Sequence, residues 1–119
     1  MKHPFWSTSI TVIWVGSICL VTYYSLVPRV EFPVDFWGSD KFYHLIAYAW
    51  LALLPMIGFS KKKLAVTAAL FMIVLGIVLE MGQRYVPGRT FSIADIGANT
   101  LGVFLGIFIG KYRNRSSNT

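Results

Sequence analysis

The stretch LAVTAALFMIVLGIVLEMGQRY, residues 64–85, decides how this chain is read. From position 64 to position 79 it carries no ionisable side chain, and then Glu80, Gln83 and Arg84 arrive in quick succession. A spanning helix needs about 20 largely apolar residues, because each adds ~1.5 Å of rise against a hydrocarbon core of ~30 Å. The stretch is long enough to cross a bilayer. Its far end is polar at a depth where polarity is costly: Glu80 lies five residues before Tyr85, roughly 7–8 Å down its helix at ~1.5 Å per residue.

Three further apolar blocks lie along the 119 residues, at 5–27, 42–59 and 91–111. The chain is 55% hydrophobic and only 13% charged, and its apolar residues fall in these blocks rather than at the spacing of a soluble core. The block at 42–59 is the shortest and contains Pro55, which removes a helical hydrogen bond. Little chain is left outside the blocks. The expected architecture is all-α, a four-transmembrane-helix bundle forming one membrane domain over residues 1–112, with a short tail at 113–119.

Net charge is +6, which in a soluble protein would point to nucleic acid. The placement of the charges argues for topology instead. Lys2, Lys61, Lys62, Lys63, Lys111, Arg113 and Arg115 fall on one side of a four-pass layout. All five acids, Glu31, Asp35, Asp40, Glu80 and Asp95, fall on the other, with Arg29, Lys41, Arg84 and Arg89. An excess of Lys and Arg marks the cytoplasmic face, so both termini and the loop at 61–63 are expected inside, near anionic head groups. No nucleic-acid partner is expected. The first block is longer than the ~7–15-residue core of a signal peptide and shows no small-residue cleavage site, so it reads as a retained helix. Cys19 is the one cysteine, which excludes an intrachain disulfide and a cysteine metal cluster.

The segments differ in character. The first block holds Ser7, Thr8, Ser9, Thr11, Ser17 and Thr22, whose hydroxyls can bond back to their own helix. Residues 28–39 mix Phe32, Phe36 and Trp37 with Glu31 and Asp35, as suits a loop lying at the outer interface. In the fourth block Ala94, Ala98, Gly102, Gly106 and Gly110 recur every four residues. Such a stripe lets two backbones approach closely, inside the bundle or, as a second use, in a homodimer through Gly102, Gly106 and Gly110.

The polar residues align by spacing. Asp40, His44 and Tyr48 share one face of the second helix. Glu80, Gln83 and Arg84 share the end of the third, and Asp95 and Asn99 the start of the fourth. Alternating passes bring these three faces to the same outer level, with Arg89 held by the Val86-Pro87-Gly88-Arg89 turn. An ionised carboxylate facing lipid would cost several kcal/mol, so Glu80 should face the bundle. The expectation is an inward-facing polar pocket open to the outer leaflet.

Several chemistries fit such a pocket. Arg84 and Arg89 with Lys41 can grip a phosphate, since guanidinium makes bidentate bonds to its oxygens. His44 with Glu80 or Asp95 can carry acid–base chemistry. Asp40, His44, Glu80 and Asp95 include hard-metal donors, but the arginines would repel the ion, so no metal and no other cofactor is expected. Each group also has a plainer use. Ser92-Ile93-Ala94-Asp95 fits a capping box, Asp40 can cap the second helix, and Arg84 and Lys41 can snorkel to the interface. Glu80 and Gln83 lie beyond the reach of any cap. Whether the site is catalytic stays open, with His44, Glu80 and Asp95 as the candidates.

Taken together, the motifs Asp40-Lys41-x-x-His44-x-x-x-Tyr48, Glu80-x-x-Gln83, Pro87-Gly88-Arg89 and Asp95-x-x-x-Asn99-x-x-Gly102 resemble the VanZ-like family. They match in order, in spacing and in their place between apolar segments, over about residues 38–106. The resemblance implies a small multi-pass protein of the bacterial cytoplasmic membrane, in a family named for a member linked to teicoplanin resistance. It implies no particular reaction. The family's motif positions fall on Asp40, Lys41, His44, Tyr48, Glu80, Gln83, Arg89, Asp95 and Asn99, and Arg84 joins them as a ligand candidate by its spacing from Glu80. The expected partners are membrane lipids or a lipid-linked cell-wall precursor. The topology is tested by thiol labelling in a Cys19→Ser background. Ser60→Cys should react with an impermeant reagent only after the cells are opened, and Gly88→Cys in intact cells; the reverse pattern would invert the bundle.

Overall fold

The computed structural model describes residues 8–27, 39–87 and 92–117, except the side chains of Ser39, Asp40 and residues 114–117. The expectations that rest on Arg89, on the Asp40 side chain and on the loop at 28–38 lie outside these residues. Helices α1 (Thr8–Leu26), α2 (Ser39–Gly58), α3 (Lys62–Gln83) and α4 (Ile93–Ser117) follow one another along the chain. All four contain a segment long and apolar enough to cross a membrane.

Boundaries differ from the sequence reading by a few residues, for local reasons. Helix α2 begins at Ser39 rather than Phe42, so that a serine and an aspartate, types favoured at helix starts, occupy its first turn. Helix α3 stops at Gln83, ahead of Pro87. Its exit is tightened by three-residue hydrogen bonds, Arg84 N–H to the Met81 carbonyl, Tyr85 N–H to Gly82 and Val86 N–H to Gln83. Helix α4 runs on to Ser117, taking in most of the basic tail. Lysine and arginine near a helix C-terminus complement its negative dipole end.

Helix α2 is the centre of the bundle: it packs on all three of the others, most extensively on α4. Its core residues Tyr48, Leu51, Ala52 and Met56 meet Ala65, Ala69 and Met72 of α3 and Val103 and Ile107 of α4. The small-residue stripe explains the α2–α4 contact. A methyl group on Gly102 would run into the Leu45 carbonyl, one on Gly106 into the Ala49 carbonyl, and one on Gly110 into the Met56 side chain. In this chain, then, the three glycines face α2. Because lipid supplies no hydrophobic drive between helices, close backbone approach and its dispersion contacts carry much of the association.

Helix α1 has no buried residue and docks differently. Pro55 lies inside α2 without an N–H, which leaves the Leu51 carbonyl, four residues earlier, without its helical donor. The Trp14 indole N–H of α1 donates to that carbonyl at 2.9 Å. One turn further, the Trp50 indole N–H donates to Ser17 Oγ at 3.0 Å, and the Ser17 hydroxyl donates to the Ile13 carbonyl. Trp14 also stacks edge-on against Phe59. Backbone freed at membrane depth has to be satisfied by a neighbour, and α1 supplies the donor.

Trp14→Phe should therefore cost about 0.5–2 kcal/mol, the range of a buried interhelical hydrogen bond. Pro55→Ala returns an N–H to the Leu51 carbonyl, so the same tryptophan change should cost less in that background. Unfolding in mixed detergent, run as a double-mutant cycle, checks this; additive effects would mean that the proline does not create the need for Trp14.

Candidate functional site

The polar residues collect at the end of the bundle where α1 and α3 finish and α2 and α4 begin. Four interactions define this end, and each joins different helices or a helix to its following loop.

Glu80, on the last turn of α3, is 1% exposed. Its Oε1 accepts the backbone N–H of Ser92 at 2.7 Å, just ahead of α4. This bond settles how far the capping box holds. The Ser92 hydroxyl accepts the Asp95 N–H at 3.3 Å, as an N-cap should. The reciprocal half, in which the third-position acid takes the N–H of the cap residue, belongs to Glu80 instead of Asp95. Asp95 is thereby released from its own helix start. It is 8% exposed, and its Oδ1 lies 3.6 Å from the Lys41 ammonium of α2.

One rung deeper, His44 Nδ1 of α2 lies 2.8 Å from Asn99 Oδ1 of α4. A carboxylate was one partner the sequence offered for His44; at Nδ1 the structure places an amide. Tyr48, the next residue on that face of α2, is buried beside Asn99. Gly76 of α3 makes the space for both, since a methyl there would sit 3.1 Å from the Tyr48 ring and from the Asn99 amide nitrogen. Gln83, 3% exposed, donates from Nε2 to the Ser25 carbonyl at 3.0 Å and so ties α3 to the last turn of α1. Leu26 packs against Gly82 at the same level.

Of the candidate residues, the structure thus brings together Lys41, His44, Tyr48, Glu80, Gln83, Asp95 and Asn99. Arg84 sits at the C-cap of α3 with an exposed side chain, at the rim of the cluster. Two participants were not singled out from sequence, Ser25 and the Ser92 amide. Both act through the backbone, and a backbone group carries no residue signature. Ser92 could be found as a cap, but not as the partner of an acid on the preceding helix.

Chemically the cluster is layered. Its deeper groups, Glu80, Gln83, Tyr48 and Asn99, are nearly sealed and lie against neighbouring elements. Lys41 keeps 46% of its side chain exposed and carries positive charge at the rim, against a carboxylate that is almost covered. Such an arrangement can meet an anion coming from outside the bundle while the buried layer holds it in place.

The fastening role of Glu80 is separable from its charge. Glu80→Gln keeps a carbonyl oxygen for the Ser92 N–H, whereas Glu80→Leu leaves that amide unpaired at a cost of about 1–3 kcal/mol. In detergent the glutamine variant should melt closer to wild type than the leucine variant. A leucine variant as stable as wild type would show that the bond does not hold the entry to α4.

The VanZ/LLP1 family model matches residues 3–113 of this chain. No curated protein and no solved structure matches it.

Proposed function

This chain belongs to the VanZ/LLP1 family, and from that premise we propose that its polar end receives the anionic head group of a cell-envelope lipid or lipid-linked precursor. The single observation that supports this most is the Lys41–Asp95 pair: a lysine with a half-exposed side chain whose ammonium lies 3.6 Å from a nearly buried carboxylate, at the rim of a polar cluster built by three helices. Intramembrane ionisable groups are costly, and a functional use is their default reading. With the basic loop at 61–63 on the cytoplasmic side, this rim faces outward in a bacterial cytoplasmic membrane. Lys41 and Arg84 then meet the phosphate, with Arg89, five residues on in the sequence, as a second arginine for it. Binding of a precursor head group at this face is how such a protein contributes to resistance against teicoplanin, a glycopeptide that acts on cell-wall precursors.

A second reading is favoured by a different observation. Glu80 with the Ser92 amide, Gln83 with Ser25, and His44 with Asn99 each bridge separate elements, as a purely structural lock would. The two readings part at the rim, because the lock does not need Lys41 or the arginines. A third, in which His44, Glu80 or Asp95 carries out hydrolysis or transfer on the head group, requires turnover.

Lys41→Gln and Arg89→Gln should each lower affinity for an anionic lipid roughly tenfold, the equivalent of about 1.4 kcal/mol for a lost charge-assisted contact. Protein accumulation should be retained and protection against teicoplanin lost. Lipid titration by native mass spectrometry and drug-susceptibility assays check both. Variants that accumulate normally and keep lipid affinity and protection intact would leave only the structural lock.

A further inference from the structure

We infer that the site selects a head group that carries a hydrogen-bond donor, a hydroxyl or an ammonium, next to its phosphate. This deepens the head-group reading above and rests on it.

The first observation is the tautomer of His44. Asn99 Oδ1, 2.8 Å from Nδ1, is a carbonyl oxygen and can only accept, so Nδ1 is the donor, and the tautomer of the uncharged ring that fits this contact carries its hydrogen there. Nε2 is left with a lone pair and is itself an acceptor. Asn99 is enclosed, 2% exposed and packed beside Gly76 and Tyr48.

The second observation is independent. Asp95 is 8% exposed, and its Oδ1 is buried with no hydrogen-bond donor among the described residues. Lys41 at 3.6 Å offsets its charge but stands beyond hydrogen-bonding distance. The cap of α4 does not use this oxygen either, because Ser92 and Glu80 have taken over both halves of the capping box.

These groups form two rungs between α2 and α4. Lys41 and His44 are three residues apart on one helix, Asp95 and Asn99 four apart on the other, so each pair shares a face. The two rungs thus pair a cation at the rim, Lys41, with two acceptors set behind it, Asp95 Oδ1 and His44 Nε2. A bare phosphodiester satisfies Lys41 and turns acceptor oxygens toward acceptors. The same phosphodiester with a neighbouring hydroxyl or ammonium also brings a donor to the acceptors. A site built to accept a hydrogen bond discriminates against the analogue that lacks the donor, because its own polar groups are then left unpaired.

Phosphatidylglycerol and phosphatidylmethanol test this directly. Both carry one negative phosphodiester, and only the first carries hydroxyls. On delipidated wild-type protein, native mass spectrometry titrations should show phosphatidylglycerol binding about tenfold tighter or more. Phosphatidylethanolamine should likewise exceed phosphatidylcholine. His44→Asn retains a donor for Asn99 but lacks Nε2, and Asp95→Asn replaces an acceptor-only group; each should bring the two ratios toward one. Equal affinities in wild type, or a preference that survives both variants, overturn this inference. If both lipids bind equally and Lys41→Gln weakens both, the head-group reading stands and only the donor requirement falls. If neither lipid binds saturably, both fall. Displacement of phosphatidylglycerol by equimolar sn-glycerol 3-phosphate would overturn a lipid as the source of the head group.

Discussion

The close approach of α4 to α2 is the constraint on which the rest of the molecule depends. Gly102 and Gly106 lie against the Leu45 and Ala49 carbonyls, where any side chain would collide with backbone. That contact sets the rung immediately above it. His44 precedes Leu45, and Asn99 stands one turn before Gly102, so the two side chains meet at hydrogen-bonding distance because the backbones below them nearly touch. Lys41 and Asp95 form the next rung out. The glycine stripe and the polar cluster are thus one structural unit read at two depths, apolar below and polar at the rim.

The same accounting governs the other helices. In lipid no water waits to satisfy a freed backbone group, so each irregularity has to be matched by a neighbour. Pro55 frees the Leu51 carbonyl, and Trp14 answers it, which places α1. The break between α3 and α4 exposes the Ser92 amide, and Glu80 answers that. At the end of α1 the Ser25 carbonyl is answered by Gln83. Polar side chains that look extravagant in an apolar chain are, in these cases, the partners of backbone groups that helix ends and a proline leave over.

Those pairings separate the groups that fasten the bundle from the groups nearer its end. Glu80 and Gln83 are committed to backbone groups, and Asn99 to His44. Lys41 and Asp95 are held near each other without a hydrogen bond between them, one half-exposed and the other covered. The polar chemistry near the end of the bundle is therefore narrower than the list of polar residues suggests, and among the described residues it is concentrated on the α2–α4 rungs and on Arg84. A head group bound there would be gripped at its phosphate and read by two acceptors behind it.

The four helices, their order and the three polar faces were legible in the sequence, because they rest on local rules. Length against bilayer thickness, hydropathy in blocks and the period of the helix need no knowledge of neighbours. The polar faces were legible for the same reason, since Asp40, His44 and Tyr48 or Asp95 and Asn99 declare a common face by spacing alone. Which group answers which was not. The capping box looked complete within Ser92 and Asp95, yet Glu80 takes half of it; spacing offered His44 several partners, and an amide meets its Nδ1; Pro55 looked like a weakness in a short helix, yet it is where α1 attaches. Each of these pairings crosses from one helix to another, and hydrogen bonds are decided by distances of a few ångströms between elements that the chain separates by 12 to 58 residues. Spacing along one helix determines a face; only packing determines what the face meets.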